Sequence, residues 1–182
     1  MEDLSISIYV PFYNGEKTIK NCIDGILNQT LKTKKILVVN DSYTDKTKRI
    51  LESYKDQIEV LDNKKNLGIS LTRDIAVNHL KTDYIASIDA DVELDKNWLK
   101  IIYESIIKNN ATWVCGKMYE KYTHNSFNLW RSLRLKQHWG EKSLSNPNLI
   151  FGCNNILKTS SLNKEKIYKN YGEYFKTNGD EN

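Results

Sequence analysis

Short apolar, β-branched runs alternate with stripes of helical period through the first 119 residues, and no other feature restricts the fold of this chain so strongly. Runs at 4–10, 36–39, 58–61, 84–92 and 111–119 read as strands, the first ending at Pro11. Between them, four groups recur at helical spacing. They are Ile19, Cys22, Ile23, Ile26 and Leu27; Ile50, Leu51 and Tyr54; Leu71, Ile75 and His79; and Trp98, Leu99, Ile102 and Ile106. Asn14-Gly15 and Asn66-Leu67-Gly68 supply turns, while Ser42 or Thr44 and then Asp95 are the expected N-caps of the second and fourth helices. Strands alternating with helices of this length predict βαβ units. The fold class is therefore α/β, a doubly wound, mostly parallel sheet flanked by helices. Beyond Thr123 the alternation fades. Residues 126–139 read as a helix with Phe127, Trp130 and Leu133 apolar and Arg131, Arg134 and Lys136 basic, and 149–152 as a short strand.

A chain of 182 residues suffices for one sizeable core. Its net charge of +4 is mild, compatible with an anionic ligand or a membrane surface without requiring either. Cys22, Cys115 and Cys153 are odd in number and scattered, which reads as reduced thiols in a cytoplasmic protein. No apolar run approaches the roughly 18 residues of a membrane-spanning helix. A cytoplasmic protein without a transmembrane segment in this chain is expected, with peripheral contact at the inner face of a membrane left open.

The run at 84–92 carries its chemistry at its end, where Asp89 and Asp91 stand one residue apart. Carboxylates at the carboxyl end of a parallel strand sit where open α/β sheets bind ligands. Two such groups suit a hard divalent cation, which takes oxygen ligands and commonly brings substrate phosphates with it. An isolated Asp-x-Asp is more often a solvated turn. Two further motifs alter that balance. Val10-Pro11-Phe12-Tyr13-Asn14 and Asp41-Ser42 also follow predicted parallel strands, so three loops are expected to face one crevice.

Taken in chain order, these three loops, Asn66 with Arg73, and Gly179-Asp180-Glu181 resemble the inverting glycosyltransferases of family 2, nucleotide-diphospho-sugar transferases of the GT-A fold. The resemblance runs from Ser7 to the end of the chain. It implies that Pro11 and Tyr13 hold the nucleobase, that Asp41 accepts the uracil imide proton, and that Arg73 lies near base and diphosphate. It further implies that Asp91 coordinates Mn²⁺ or Mg²⁺ between the phosphates, with Asp89 on the ribose and supporting the metal. Glu181, with Asp180 beside it, takes the place of the base that deprotonates the acceptor hydroxyl, and Asn154 and Asn155 fall at a donor-sugar or acceptor pocket. The sequence departs from the family pattern in Asn40-Asp41-Ser42, in Asp74 and in the inverted order Asp180-Glu181.

The implied function is metal-assisted direct displacement from a nucleotide-diphosphate sugar, expected to be a UDP-sugar, onto a sugar or lipid-linked acceptor in polysaccharide or glycolipid synthesis. Nucleic acid is not an expected partner. One domain is expected over 1–182, with 1–119 binding the nucleotide sugar and 120–182 serving the acceptor side and cut short at its C-terminus. A nucleotide-sugar-binding module without turnover is the rival reading. A dehydrogenase would need G-x-G-x-x-G after the first strand, where Asn14-Gly15-Glu16-Lys17 stands instead.

Overall fold

The computed structural model describes residues 5–134, 144–146 and 152–162. In chain order its elements are β1 (Ile6–Phe12), α1 (Ile19–Leu27), β2 (Lys35–Asn40), α2 (Thr47–Glu52), β3 (Glu59–Asp62) and α3 (Ile69–His79). They continue with β4 (Tyr84–Ile88), α4 (Trp98–Lys108), β5 (Trp113–Cys115), α5 (Ser126–Arg134) and β6 (Asn154–Lys158). One sheet has the order β3-β2-β1-β4-β6-β5. The pairs β3–β2, β2–β1 and β1–β4 are parallel, whereas β6 runs antiparallel to both β4 and β5. The mostly parallel α/β class holds.

Strand alternation sorts the core into two layers. On one face Ile6, Ile8, Val10, Ile36 and Val38 pack with α1, α2 and α4 through Ile19, Ile23, Leu51, Leu99 and Ile102. On the other, Tyr9, Leu37, Val39 and Ile85 pack with Ala76 and Val77 of α3. The stripes expected on α1 and α4 are the buried ones: Ile19, Cys22, Ile23 and Ile26, and Trp98, Leu99, Ile102 and Ile106. Each such aliphatic side chain stabilises the fold by roughly 1.5–3 kcal/mol when fully buried.

Several local expectations are corrected. On α3 the buried residues are Thr72, Ala76 and Val77, and Leu71 is exposed. Tyr9, Leu37 and Val39 already fill the space on that face of the sheet, so small side chains let the helix approach. Neither Ser42 nor Thr44 caps α2; the Asp45 Oδ1 accepts from the Thr47 N–H at 3.0 Å. Nor is Asp95 the N-cap of α4: Asn97 holds that position without a side-chain cap bond, and the Asp95 Oδ1 accepts the Asn97 N–H at 2.8 Å in the turn before the helix. The run 111–119 shrinks to the three residues of β5, and a strand the sequence reading did not name stands at Asn154–Lys158; of the strand expected at 149–152, all but Gly152 lies outside the described residues. Of the helix expected over 126–139, Ser126–Arg134 is described as α5 and carries Phe127, Trp130 and Leu133 exposed; the rest lies outside the described residues.

The first strand does not stop at Pro11 but runs to Phe12. Phe12 directs its carbonyl to the Asp41 N–H on the β2 side, so by alternation Pro11 faces β4. Pairing of β1 with β4 ends at Tyr9, so the missing proline N–H breaks no ladder bond. At this point β1 and β4 part company, and a crevice opens.

Candidate active site

The crevice is a cleft of about 290 Å³ lined by Pro11, Phe12, Tyr13, Asn14, Gly15, Thr18, Asp41, Ile69, Thr72, Ala90 and Asp91. It lies at the carboxyl ends of β1, β2 and β4, where the sheet order turns from β1 to β4. Pro11, Tyr13, Asp41 and Asp91, drawn from three loops, thus share one wall system. Tyr13 is 51% exposed, which places its ring at the mouth rather than in the core.

Two loops beside the cleft are tied into a unit. The Asn14 Oδ1 accepts the Thr44 N–H at 2.7 Å, and the Gly15 N–H donates to Thr47 Oγ1 at 3.0 Å. The Glu16 N–H donates to Asp45 Oδ2 at 2.9 Å, and the Lys46 N–H to Glu16 Oε2 at 3.1 Å. Asn14 and Ser42 both adopt left-handed backbone, with φ of 52° and 66°. Sequence reading found Asn14-Gly15 only as a turn; its pairing with residues 44–47 spans some thirty positions and left no local signal.

Asp41 is buried and accepts three hydrogen bonds. Its Oδ1 takes Asn63 Nδ2 at 2.9 Å and the Leu67 N–H at 2.8 Å, while Oδ2 takes the Gly68 N–H at 2.8 Å. A carboxylate has about four acceptor positions, so one on Oδ2 is left over beside the cleft. The residue therefore fixes the entry to α3, where Gly68 has φ of 81°, and still keeps acceptor capacity.

Arg73 and Asp89 sit behind the lining. Arg73 Nη2 donates to Asp89 Oδ1 at 2.8 Å, both side chains being largely shielded from solvent. Burial pushes the Asp89 carboxyl above its ordinary value; Arg73 opposes that shift and Asp91 adds to it. The thiols nearby stay protonated. Burial, followed by the Asp91 and Asp89 charges, pushes Cys22 up to about 12, and burial and Asp89 push Cys153 up to about 11.

Asn154 lies away from this cleft. It is buried in β6, where its Oδ1 accepts the Trp98 Nε1–H at 2.5 Å. Asn155 accepts the Trp113 Nε1–H at 2.9 Å. Glu181 and Asp180 lie outside the described residues. Among the described residues no three or more His, Cys, Asp or Glu side chains gather as a metal cluster. No helix among them is long and apolar enough to cross a membrane.

The family model described as glycosyl transferase family 2 matches residues 7–172. The chain belongs to that family. Over 127 residues it is 32% identical to the UDP-Glc:alpha-D-GlcNAc-diphosphoundecaprenol beta-1,3-glucosyltransferase WfgD of Escherichia coli, covering 69% of this chain and 50% of that one. Among solved structures, residues 1–349 of S. aureus TarS in complex with UDP-GlcNAc superpose with a TM-score of 0.73 at 22% identity, over 91% of this chain and 48% of that one. The mannosyltransferase PcManGT of Pyrobaculum calidifontis, in complex with GDP-Man and Mn²⁺, gives a TM-score of 0.62 at 18% identity, over 85% of this chain and 44% of that one. At these identities the structural likeness carries the fold alone, which is that of the GT-A enzymes. The family-2 chain spans between a quarter and a half of the length of curated relatives such as these.

Proposed function

We propose that this family-2 domain binds a UDP-sugar in the cleft at the carboxyl edge of its sheet and transfers the sugar, with inversion, to an acceptor hydroxyl. The observation that carries the reading is the meeting of Tyr13, Asp41 and Asp91 on one cleft from three separate loops. Tyr13 offers an aromatic face at the mouth on which a base can stack, with a polar edge toward water. Asp41 has an acceptor position left for the uracil imide N–H, on a carboxylate that three hydrogen bonds hold still.

The donor set fits a hard cation. Asp91 lines the cleft and offers carboxylate oxygens only, while Asp89 already engages Arg73. Asp91 would therefore be the residue that holds Mn²⁺ or Mg²⁺ directly, with Asp89 supporting it from behind. When bound, the cation offsets negative charge on the departing nucleoside diphosphate. Glu181, with Asp180 beside it, takes the proton of the acceptor hydroxyl as that oxygen attacks the anomeric carbon from the face opposite the leaving group. One displacement inverts the centre without a covalent enzyme intermediate. WfgD is named for a diphosphoundecaprenol-linked acceptor; an acceptor of that lipid-linked kind, met in the cytoplasm at the inner membrane face, is the one proposed here.

Calorimetric titration of UDP with and without Mn²⁺, followed by UDP release from a panel of nucleotide sugars, tests the reading. Metal-dependent binding and donor-dependent release are expected. Equal UDP affinity in excess chelator would remove the metal role, and binding without release from any donor would leave a binding module.

A further inference from the structure

Gly152 stands in the turn before β6, and nothing in the donor reading assigns it a role. A Cβ built at this position would lie 2.5 Å from Arg73 Nη1, 3.0 Å from Cζ and 3.2 Å from Nη2. The guanidinium that pairs with Asp89 thus occupies the space a side chain would take. The turn that carries Gly152 is itself anchored. The Gly152 carbonyl accepts Asn155 Nδ2 at 2.9 Å, and Asn155 is itself held by the Trp113 indole N–H. The Cys153 carbonyl accepts the Asp89 N–H at 3.3 Å, extending the β4–β6 register of Ser87 with Asn155 and Ile88 with Asn154. The turn is therefore tied to the residue that Arg73 must reach.

We propose that Gly152 is a positioning residue for donor binding, acting by leaving room for Arg73 to stay on Asp89 beneath the metal-binding Asp91. A side chain at 152 meets the flexible end of Arg73 rather than backbone, so the shift that relieves the contact falls on the guanidinium and displaces it from its present place on Asp89. Asp89 is then a shielded negative charge without its compensating cation, next to a second carboxylate, and its orientation is no longer fixed. The effect reaches the nucleotide only through Arg73 and Asp89. This inference rests on the donor-binding reading above.

A double-mutant cycle on the full chain decides it, with Mn²⁺-dependent UDP affinity and thermal melting measured on wild type, Gly152→Ala, Arg73→Ala and the pair. Gly152→Ala is expected to weaken UDP binding in Mn²⁺ about tenfold, and to cost nothing further once Arg73 is alanine. Arg73→Lys in the Gly152→Ala background should recover part of the loss, since the narrower ammonium clears the new methyl group. An undiminished affinity in Gly152→Ala, or the same loss in both Arg73 backgrounds, would overturn the proposal. If wild type binds no UDP, the donor reading fails by itself. The cycle is then read on melting temperature, where an Arg73-independent cost at 152 equally overturns the positioning role. If Gly152→Ala does not fold, recovery of folding by Arg73→Ala supports the clash, and its absence refutes it.

Discussion

Asn14 and Thr44 meet at the surface beside the cleft, the Asn14 Oδ1 accepting the Thr44 N–H at 2.7 Å while Nδ2 donates to Thr44 Oγ1 at 3.0 Å. The β1–α1 and β2–α2 loops therefore behave as one body, and Tyr13 and Asp41 are carried on its two halves. Asn14→Gly keeps the left-handed backbone and removes only the amide. It should cost about 1 kcal/mol, lowering the melting temperature by roughly 2–4 °C, with a larger relative loss of UDP affinity because the two halves are no longer fixed together. Thermal melting and UDP titration on the same variant check this; a stability loss with unchanged affinity would show that the lock does not shape the cleft.

Asp91→Ala removes the one carboxylate of the pair that lines the cleft. Metal-dependent UDP binding should disappear, leaving only the affinity that wild type retains in chelator. Because Asp91 raises both the Asp89 carboxyl and the Cys22 thiol, its removal also relieves like-charge repulsion, and the folded chain should not lose stability. Calorimetry with and without Mn²⁺ reads the first effect and denaturant unfolding the second.

Gln29 is buried between α1 and α4 and meets three backbone groups. Its Nε2 donates to the carbonyls of Gly25 and Asp95 at 2.9 and 2.8 Å, and its Oε1 accepts the Leu99 N–H at 2.9 Å. Gln29→Leu matches the volume and strands those groups. The expected cost is about 2–3 kcal/mol in urea unfolding, far more than an ordinary surface glutamine would show.

Glu59 joins β3 to β2 and α3 through Lys35 and His79, with His79 Nε2 at 2.8 Å from its Oε1. Lys35 above all holds its carboxyl below the usual range; burial opposes it, and His79 adds to the lowering. A folded value below the unfolded one means that the carboxylate stabilises the native state above the unfolded value, and that this contribution is lost as pH falls through the folded one. Glu59→Gln should therefore be less stable than wild type at neutral pH, the gap closing on acidification below about pH 4. Paired urea unfolding curves across that range measure it; a constant gap would exclude the ion pairs as its source.

The parallel strands and the inward stripes of α1 and α4 were legible because a strand buried on both faces is a continuous apolar run, and a large stripe on a helix is a core stripe. α3 misled for a physical reason. Its Leu71, Ile75 and His79 repeat at helical period, yet the sheet beneath is already filled by Tyr9, Leu37 and Val39, so Ala76 and Thr72 face inward. Periodicity identifies a helix more securely than it identifies which face is buried. Asp45 in place of Ser42 or Thr44 at α2 shows the same limit, since all three stand within one polar loop.

By itself the sequence determined the alternation of strands and helices, and with it the sheet edge at which Tyr13, Asp41 and Asp91 had to emerge. Both follow from local periodicity and the handedness of parallel connections. Only the tertiary structure decided that β6 returns antiparallel between β4 and β5, that Asn14 locks to Thr44, and that Arg73 lies in the space beside Gly152 on its way to Asp89. Those relations join residues tens of positions apart through hydrogen bonds and excluded volume, and neither leaves a period in the chain.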